Sequence, residues 1–160
     1  QPFKPSPARY VKPDMRLLLK WYEQNKNKIH TLALVTFFHH KFENIHPFFD
    51  GNGRTGRVLM NHILDLLNYP PIVISRRERQ EYLRAMNKSD SAIKKGLDKI
   101  EFKYYKRLLG FVFYLMNFSF GFYLFTNKLF RSLKIIFSKF KLIIYIDFYK
   151  FNVFLTKNSY

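Results

Sequence analysis

The segment from His46 to Arg57, HPFFDGNGRTGR, concentrates chemical groups that could bind and react with a phosphate. Its twelve residues supply one imidazole, one carboxylate, one amide, two guanidinium groups and three glycines. A neutral imidazole can accept a proton from a hydroxyl group, and each guanidinium can donate two parallel hydrogen bonds to phosphate oxygens. The segment therefore predicts a phosphate site with a general base beside it.

The glycines and the residues after them indicate how an anion would be held. Gly51 and Gly53 lack a Cβ atom, so their backbone N–H groups could approach a ligand closely. The following run, VLMNHILDLL, is compatible with a helix that begins near Arg54. The unpaired N–H groups at its start would face the same anion, and Arg54 and Arg57 would share a helix face. Asp50 beside an anion indicates a divalent cation between them, and magnesium commonly bridges carboxylate and phosphate oxygens.

The segment resembles the signature of Fic (Fido) domain proteins at every defining position. The matching residues are His46-Pro47-Phe48, Asp50-Gly51-Asn52-Gly53-Arg54 and Arg57. The resemblance implies a protein adenylyltransferase in which His46 deprotonates a Ser, Thr or Tyr hydroxyl of a target protein. That hydroxyl would attack the α-phosphate of ATP, and AMP would be transferred to the protein.

The resemblance also implies a role for each position of the site. Asp50 is expected to bind Mg²⁺ or Mn²⁺, and Phe48 is expected to anchor the loop in the core. Gly51, Asn52 and Gly53 are expected to form an anion cradle, with Asn52 on a phosphate oxygen. Arg54 is expected to bind the phosphates, and Arg57 the terminal phosphate. Leu83 and Asn87 are expected to lie beside the base and ribose.

Other interpretations of the segment and of its activity stay open. GNGRTG also fits the dinucleotide fingerprint, but that motif follows a strand, whereas TLALVTFFHHKFEN is typical of a helix. A plain glycine turn between two helices with solvated arginines is the structural alternative. The functional alternative is a regulatory or toxin-type Fic module with impaired turnover, or one that uses a UMP, phosphocholine or phosphate donor. An inhibitory helix or antitoxin is a possible partner of such a module.

The elements around the segment predict a mostly α fold, a compact helical bundle of the Fic type with the active-site loop between two helices. Apolar periodicity, capping residues and breakers predict helices over 15–25, 31–44, 54–67, 76–88 and 104–118. Residues 1–14 contain four prolines and are expected to form an extended arm. The domain core is expected to span 15–118. The β-hairpin flap that docks targets in relatives is expected to be absent or truncated, with sequence upstream of Gln1 missing.

Composition places few limits on the partner. The net charge of +17 would suit an acidic partner or a phosphate-handling enzyme, but no dense Lys/Arg cluster favours nucleic acid. The absence of cysteine excludes disulfides and thiolate zinc sites and fits a cytoplasmic protein. Five histidines are present, but their spacing does not predict a zinc site. Of the adjacent His39 and His40, one is expected to pack under the loop and the other to meet solvent.

The C-terminal residues 119–160 have a different character. Twelve of the 19 phenylalanines lie within 111–160, and 108–127 is a run of 20 residues without a charge. Such a run is long enough to span a bilayer, although its polar residues dilute it. The tail could be membrane-associated, a packed extension of the bundle, or a non-native end such as a frameshifted reading. Membrane association is therefore expected only through this tail.

Overall fold

The computed structural model describes residues 5–93, 96–97 and 101–126, which form five α-helices. The helices are α1 Ala8–Asn25, α2 Thr31–Ile45, α3 Asn52–Leu66, α4 Arg79–Ile93 and α5 Phe102–Thr126. Within those ranges no residue forms a β-strand. The prediction of a mostly α bundle with the HPFFDGNGRTGR loop between two helices is therefore confirmed.

Helix α2 lies at the centre of the bundle and contacts each of the other four helices. Its sequence is apolar on nearly every side, which is the pattern of a helix enclosed by others. Buried side chains run without interruption from Leu32 to Phe42, and the helix ends at the buried Ile45. His30 caps its start, because the Leu32 N–H donates to His30 Nδ1 at 3.3 Å. This enclosed helix holds the start of the HPFFDGNGRTGR loop in a fixed place.

The extended arm predicted for residues 1–14 is wrong over its second half, since α1 begins at Ala8. Pro7 stands at the N-cap position with φ −56° and ψ 143°, and the Tyr10 N–H donates to the Pro7 carbonyl at 2.8 Å. Pro13 lies inside the helix, where it removes one backbone hydrogen bond. The helix persists because Val11 and Met15 continue the apolar stripe that packs on the core. Tertiary packing here outweighs the proline penalty.

The connection between α3 and α4 is held by a side-chain clamp. Asn61 donates from Nδ2 to the Ile72 carbonyl at 3.0 Å and accepts from the Ile72 N–H at 2.8 Å. The Ser75 N–H then donates to Glu78 Oε2 at 2.8 Å, which is one half of a capping box. Helix α4 starts only at Arg79, three residues later than predicted, because residues 76–78 form a turn. The clamp fixes the segment that enters α4.

Helix α5 is longer than predicted, since it runs from Phe102 to Thr126 and so continues past the expected end at 118. It packs mainly on α4. Across that contact Arg107 donates from Nε and Nη2 to the Glu81 carboxylate at 2.8 and 2.9 Å. Among the described helices, none combines the length and apolar character needed to cross a membrane. Residues 127–160, to which most of the tail predictions apply, lie outside the described part of the chain.

Candidate active site

A cavity of about 650 Å³ opens between the end of α2, the start of α3 and one face of α4. That volume lies in the range of small-molecule sites, roughly 300–1,000 Å³. Five of the predicted site residues line it, namely His46, Gly53, Arg57, Leu83 and Asn87. The predicted base, one phosphate-binding arginine and both residues expected near the nucleoside therefore share one cavity.

His46 is the C-cap of α2 and adopts a left-handed conformation, with φ 56° and ψ 59°. Such a φ is uncommon for a residue with a Cβ atom and turns the chain sharply out of the helix. The ring Nδ1 lies 3.3 Å from the Glu43 carbonyl. A carbonyl can only accept, so Nδ1 carries a proton, and in the neutral ring Nε2 carries the acceptor lone pair. This tautomer suits a general base that acts through Nε2.

Asn52 has a different role from the predicted one. Its side chain is buried, and the two hydrogen bonds of its amide both go to one loop residue. Oδ1 accepts from the Phe48 N–H at 2.8 Å, and Nδ2 donates to the Phe48 carbonyl at 2.6 Å. Asn52 therefore closes the loop on itself and does not point an amide at the cavity. The prediction that it binds a phosphate oxygen is corrected by this geometry.

Phe48 is not a core anchor, because half of its side chain is exposed. Its ring contacts Phe42 on α2, with the ring centroids 6.4 Å apart. Phe49 beside it is fully exposed. Phe48 is therefore not the predicted buried anchor of the loop. The Asn52 amide and the left-handed turn at His46 hold the loop instead.

Helix α3 starts at Asn52, two residues before the predicted start. Gly51 is its N-cap with φ +84°, a conformation that glycine adopts without strain. The Gly51 carbonyl accepts from the Thr55 N–H at 2.9 Å. Gly53 belongs to the first turn of the helix and lines the cavity. The helix N-terminus itself, with N–H groups that lack intrahelical partners, forms one end of the cavity and favours an anion there.

The two arginines of the segment point to different surroundings, although they were predicted to share a helix face. Arg57 lines the cavity, and its Nη1 lies 3.3 Å from where a Cβ on Gly53 would stand. Arg54 is exposed and donates from Nη2 to Asp50 Oδ2 at 2.9 Å. Asp50 Oδ1 accepts from the Gly51 N–H at 2.6 Å. Of the two, only Arg57 faces the cavity directly.

Asp50 fits a magnesium site only if substrate phosphates supply most of the ligands. The carboxylate is exposed, and the described residues contain no cluster of three or more His, Cys, Asp or Glu that could hold a metal. Mg²⁺ is often bound by one or two carboxylates together with phosphate oxygens and water. Asp50 could supply that one carboxylate. Arg54 would then have to release the Asp50 carboxylate or share it with the metal ion.

Glu43 is a cavity residue that the sequence analysis missed. Its Oε1 atom is buried and has no hydrogen-bond partner among the described residues. Burial raises the pKa of the Glu43 carboxyl, while His46 and Arg57 act in the opposite direction. The side chain packs against Gly56 of α3, where an added Cβ would overlap Glu43 Oε1. Gly56 is therefore needed for the close contact between α2 and α3 and not for binding phosphate.

His39 and His40 are both buried, so the expectation that one meets solvent is wrong. His39 Nε2 lies 2.8 Å from the Tyr82 hydroxyl, and burial lowers the pKa of His39 to about 4. His40 Nδ1 lies 3.0 Å from the Tyr105 hydroxyl, and burial also lowers its pKa. The two rings cross-link α2 to α4 and α5. They hold the cavity walls together.

One face of α4 supplies most of the remaining wall. The cavity residues on this helix are Arg79, Tyr82, Leu83, Met86, Asn87 and Asp90. They recur at three- and four-residue intervals, which places them on a single helix face. Only Leu83 and Asn87 were predicted. Extending that periodicity in both directions would have found the others, including Arg79 and Asp90.

Comparisons with known proteins agree with this geometry. Residues 2–64 match the model of the Fic/DOC family. The protein adenylyltransferase Fic of Drosophila grimshawi is 38% identical over 85 residues, covering 48% of this chain and 18% of that protein. The corresponding protein of Drosophila persimilis is 36% identical over 85 residues, covering 48% of this chain and 17% of that protein. The chain thus spans less than one fifth of the length of these curated relatives.

The fold comparison points to the same family. A Fic domain containing signaling protein from Bacteroides thetaiotaomicron superposes with a TM-score of 0.61 at 29% sequence identity. The superposition covers 72% of this chain and 45% of the other. Together with the family match over residues 2–64, it confirms the resemblance inferred from the HPFFDGNGRTGR segment. Over residues 2–64, which carry most of its described N-terminal half and this segment, the chain is similar to the Fic/DOC family.

Proposed function

We propose that this chain transfers AMP from ATP to a Ser, Thr or Tyr hydroxyl of a target protein. The observation that carries the proposal is that His46, Arg57 and the first turn of α3 line one cavity. A base, a phosphate-binding cation and an anion-binding helix terminus are the parts that nucleotidyl transfer requires. The curated relatives, named protein adenylyltransferases, support the same reaction class.

In the proposed step, the target hydroxyl approaches His46 Nε2 and gives up its proton as its oxygen attacks the α-phosphorus of ATP. A bond forms between that oxygen and the α-phosphorus. The bond between the α-phosphorus and the oxygen bridging to the β-phosphate breaks, and pyrophosphate leaves. The Nδ1 contact with the Glu43 carbonyl, at 3.3 Å, keeps the His46 ring in the tautomer that can accept this proton.

Positive charge accounts for the larger share of the expected rate enhancement. Arg57 and the N-terminal N–H groups of α3 face the cavity, so they can stabilise negative charge on the transferred group. Mg²⁺, when bound by Asp50 and the phosphates, would neutralise further charge on the phosphate oxygens. Arg76 and Arg79 also line the cavity and add to its affinity for a triphosphate.

Incubation of the full chain with α-labelled ATP and candidate acceptor proteins tests the proposal. Label should appear on protein, and His46→Ala should reduce the labelling rate by about 10²- to 10⁴-fold, the usual contribution of a general base. His62→Ala is the matched control, because His62 is exposed on α3 and does not line the cavity. Equal labelling by both variants would refute the role of His46.

The choice of donor is tested in the same assay. γ-Labelled ATP should leave protein unlabelled, because the γ-phosphate departs with pyrophosphate. α-Labelled UTP should label protein more slowly than α-labelled ATP. Label transferred from the γ-position would instead indicate phosphate transfer. ATP binding in calorimetry without any pyrophosphate release would favour a regulatory nucleotide-binding module over an enzyme.

A further inference from the structure

Glu43 is a charged residue of the cavity to which the proposed transfer step gives no role. It lies in the last turn of α2, three residues before the C-cap His46, so the two side chains leave the helix on the same side. Glu43 Oε1 is buried, and the described residues offer it no hydrogen-bond partner. Burial of an unpaired carboxylate oxygen is unfavourable unless a nearby positive charge offsets the cost.

The carboxylate is seated between α2 and α3. Glu43 Oε1 occupies the space where a Cβ atom on Gly56 would stand, so glycine at this position of α3 leaves room for it. The buried His39 ring borders the same space, with its Cε1 atom 3.1 Å from that Cβ position. The Glu43 side chain therefore turns into the junction of the two helices, where solvent screens its charge less than at the surface.

The titratable groups that face Glu43 come from three helices. His39 of α2 and Tyr82 of α4 are hydrogen-bonded at 2.8 Å. Burial lowers the pKa of His39 to about 4 and raises the pKa of Tyr82, so both side chains are neutral near pH 7. Burial raises the pKa of the Glu43 carboxyl, while charge on His46 and on Arg57 of α3 lowers it. Of these groups, only His46 would change its charge during the proposed transfer.

We infer that Glu43 is a positioning residue for this transfer, whose carboxylate stabilises the imidazolium that forms when His46 accepts the proton of the target hydroxyl. The inference rests on the proposed function, since it takes His46 as the base. The proton moves from the hydroxyl oxygen to His46 Nε2 and stays there during the step. Glu43 takes up no proton and forms no bond. A carboxylate that stabilises an imidazolium in this way is a recurrent arrangement where histidine activates a hydroxyl.

The charge of Glu43 should act on ATP in the opposite sense. The phosphates of ATP are also negative, so a carboxylate in the same cavity opposes their binding. A group that favours the reaction but not the binding of the nucleotide changes kcat without improving affinity. This difference separates the inferred role from one in which Glu43 only shapes the cavity.

Two substitutions separate the charge of Glu43 from its shape. Glu43→Gln keeps the shape of the side chain beside Gly56 but removes the charge, whereas Glu43→Asp keeps the charge on a shorter side chain. With saturating α-labelled ATP and an acceptor protein that the unsubstituted chain labels, Glu43→Gln should lower kcat by about tenfold or more. Glu43→Asp should retain most of kcat. Glu23→Gln is the matched control, because Glu23 is exposed on α1 and does not line the cavity.

The pH dependence of kcat and the affinity for ATP complete the test. In Glu43→Gln the proton on His46 loses a favourable neighbour and should dissociate at a lower pH. The acid limb of the pH–rate profile should therefore move down by about one pH unit. Glu43→Asp and Glu23→Gln should leave that limb in place. The Kd for ATP, measured by calorimetry, should stay the same or fall in Glu43→Gln, because a repulsive charge is lost.

Four other outcomes would overturn the inference. If the unsubstituted chain labels no protein, the proposed function fails and the inference fails with it. If it labels protein and Glu43→Gln has the same kcat and pH profile, the proposed function stands and the inference is wrong. A loss of kcat in Glu43→Gln without a shift of the acid limb, or a larger loss in Glu43→Asp, would show that Glu43 acts through packing. Weaker ATP binding by Glu43→Gln would assign Glu43 to nucleotide binding instead. Thermal unfolding of each variant confirms that the compared proteins are folded.

Discussion

Replacing Gly56 by alanine should destabilise the protein, although glycine-to-alanine changes within helices usually stabilise by about 0.5–1 kcal/mol. A Cβ at Gly56 would overlap Glu43 Oε1 and would lie 3.1 Å from both Glu43 Cδ and His39 Cε1. Carbon atoms normally pack about 3.5–4.0 Å apart. The Glu43 carboxylate can swing away, but the His39 ring is buried and lies 2.8 Å from the Tyr82 hydroxyl.

We therefore expect Gly56→Ala to lower the free energy of unfolding by about 1–3 kcal/mol, the usual cost of overpacking. Gly110→Ala is the matched control. Gly110 also lies inside a helix, but a Cβ there would meet nothing within 4 Å, so this variant should be about 0.5–1 kcal/mol more stable. Urea unfolding followed by circular dichroism measures both changes, provided that the m-value is unchanged.

A double-mutant cycle separates overlap with Glu43 from other causes. Glu43→Ala removes the overlapping carboxylate. The double variant should therefore have a free energy of unfolding about 1 kcal/mol higher than the sum of the two single effects predicts, as for residues in direct contact. If Gly56→Ala instead stabilises as much as Gly110→Ala, the close contact between α2 and α3 does not exist. Additive effects of the two substitutions would show that Glu43 does not fill the space beside Gly56.

Three further predictions concern the loop, the buried histidine and the arginines. Asn52→Ala should lower the free energy of unfolding by about 1–3 kcal/mol in urea, because both backbone groups of Phe48 lose a partner; an unchanged midpoint would contradict this. Burial lowers the pKa of His39 to about 4, so the unfolded chain binds a proton there more readily than the folded chain does. The contribution of His39 to the free energy of unfolding should therefore fall by about 3 kcal/mol as the pH drops from 6.5 to 4. An unfolding midpoint that stays constant over this range would refute it. Arg57→Ala should weaken ATP binding about tenfold more than Arg54→Ala in calorimetry, because only Arg57 lines the cavity; equal losses would show that Arg54 turns inward.

The helices around the loop were predictable because their signals are local. Helix α2 agrees with its prediction to one residue at its end, since its apolar periodicity is long and a turn follows directly. The start of α1 was missed because the proline rules describe an isolated segment. They take no account of Val11 and Met15, which pack on the core and hold the helix through Pro13.

The roles within the loop were only partly predictable. His46 and Arg57 were predicted from their residue types to share one site, and both line the cavity. Asn52 and Phe48 were assigned wrongly because the sequence does not show which polar atoms the loop uses internally. The Asn52 amide is hydrogen-bonded to both backbone groups of Phe48, a pairing that only the folded loop reveals.

The two ends of the cavity differ in how the sequence encodes them. The end beside the start of α3 comes largely from one contiguous segment, since His46, Gly53 and Arg57 all lie within twelve residues. The other end is formed where α4 meets α2, so that Asp90 reaches Asn44 across 46 positions of sequence. The first group of residues can therefore be found from a local motif, whereas the second group comes together only through tertiary packing. If the proposed function is right, substitutions at Leu83 or Asn87 should change which nucleotide binds, whereas His46→Ala should slow transfer from every nucleotide.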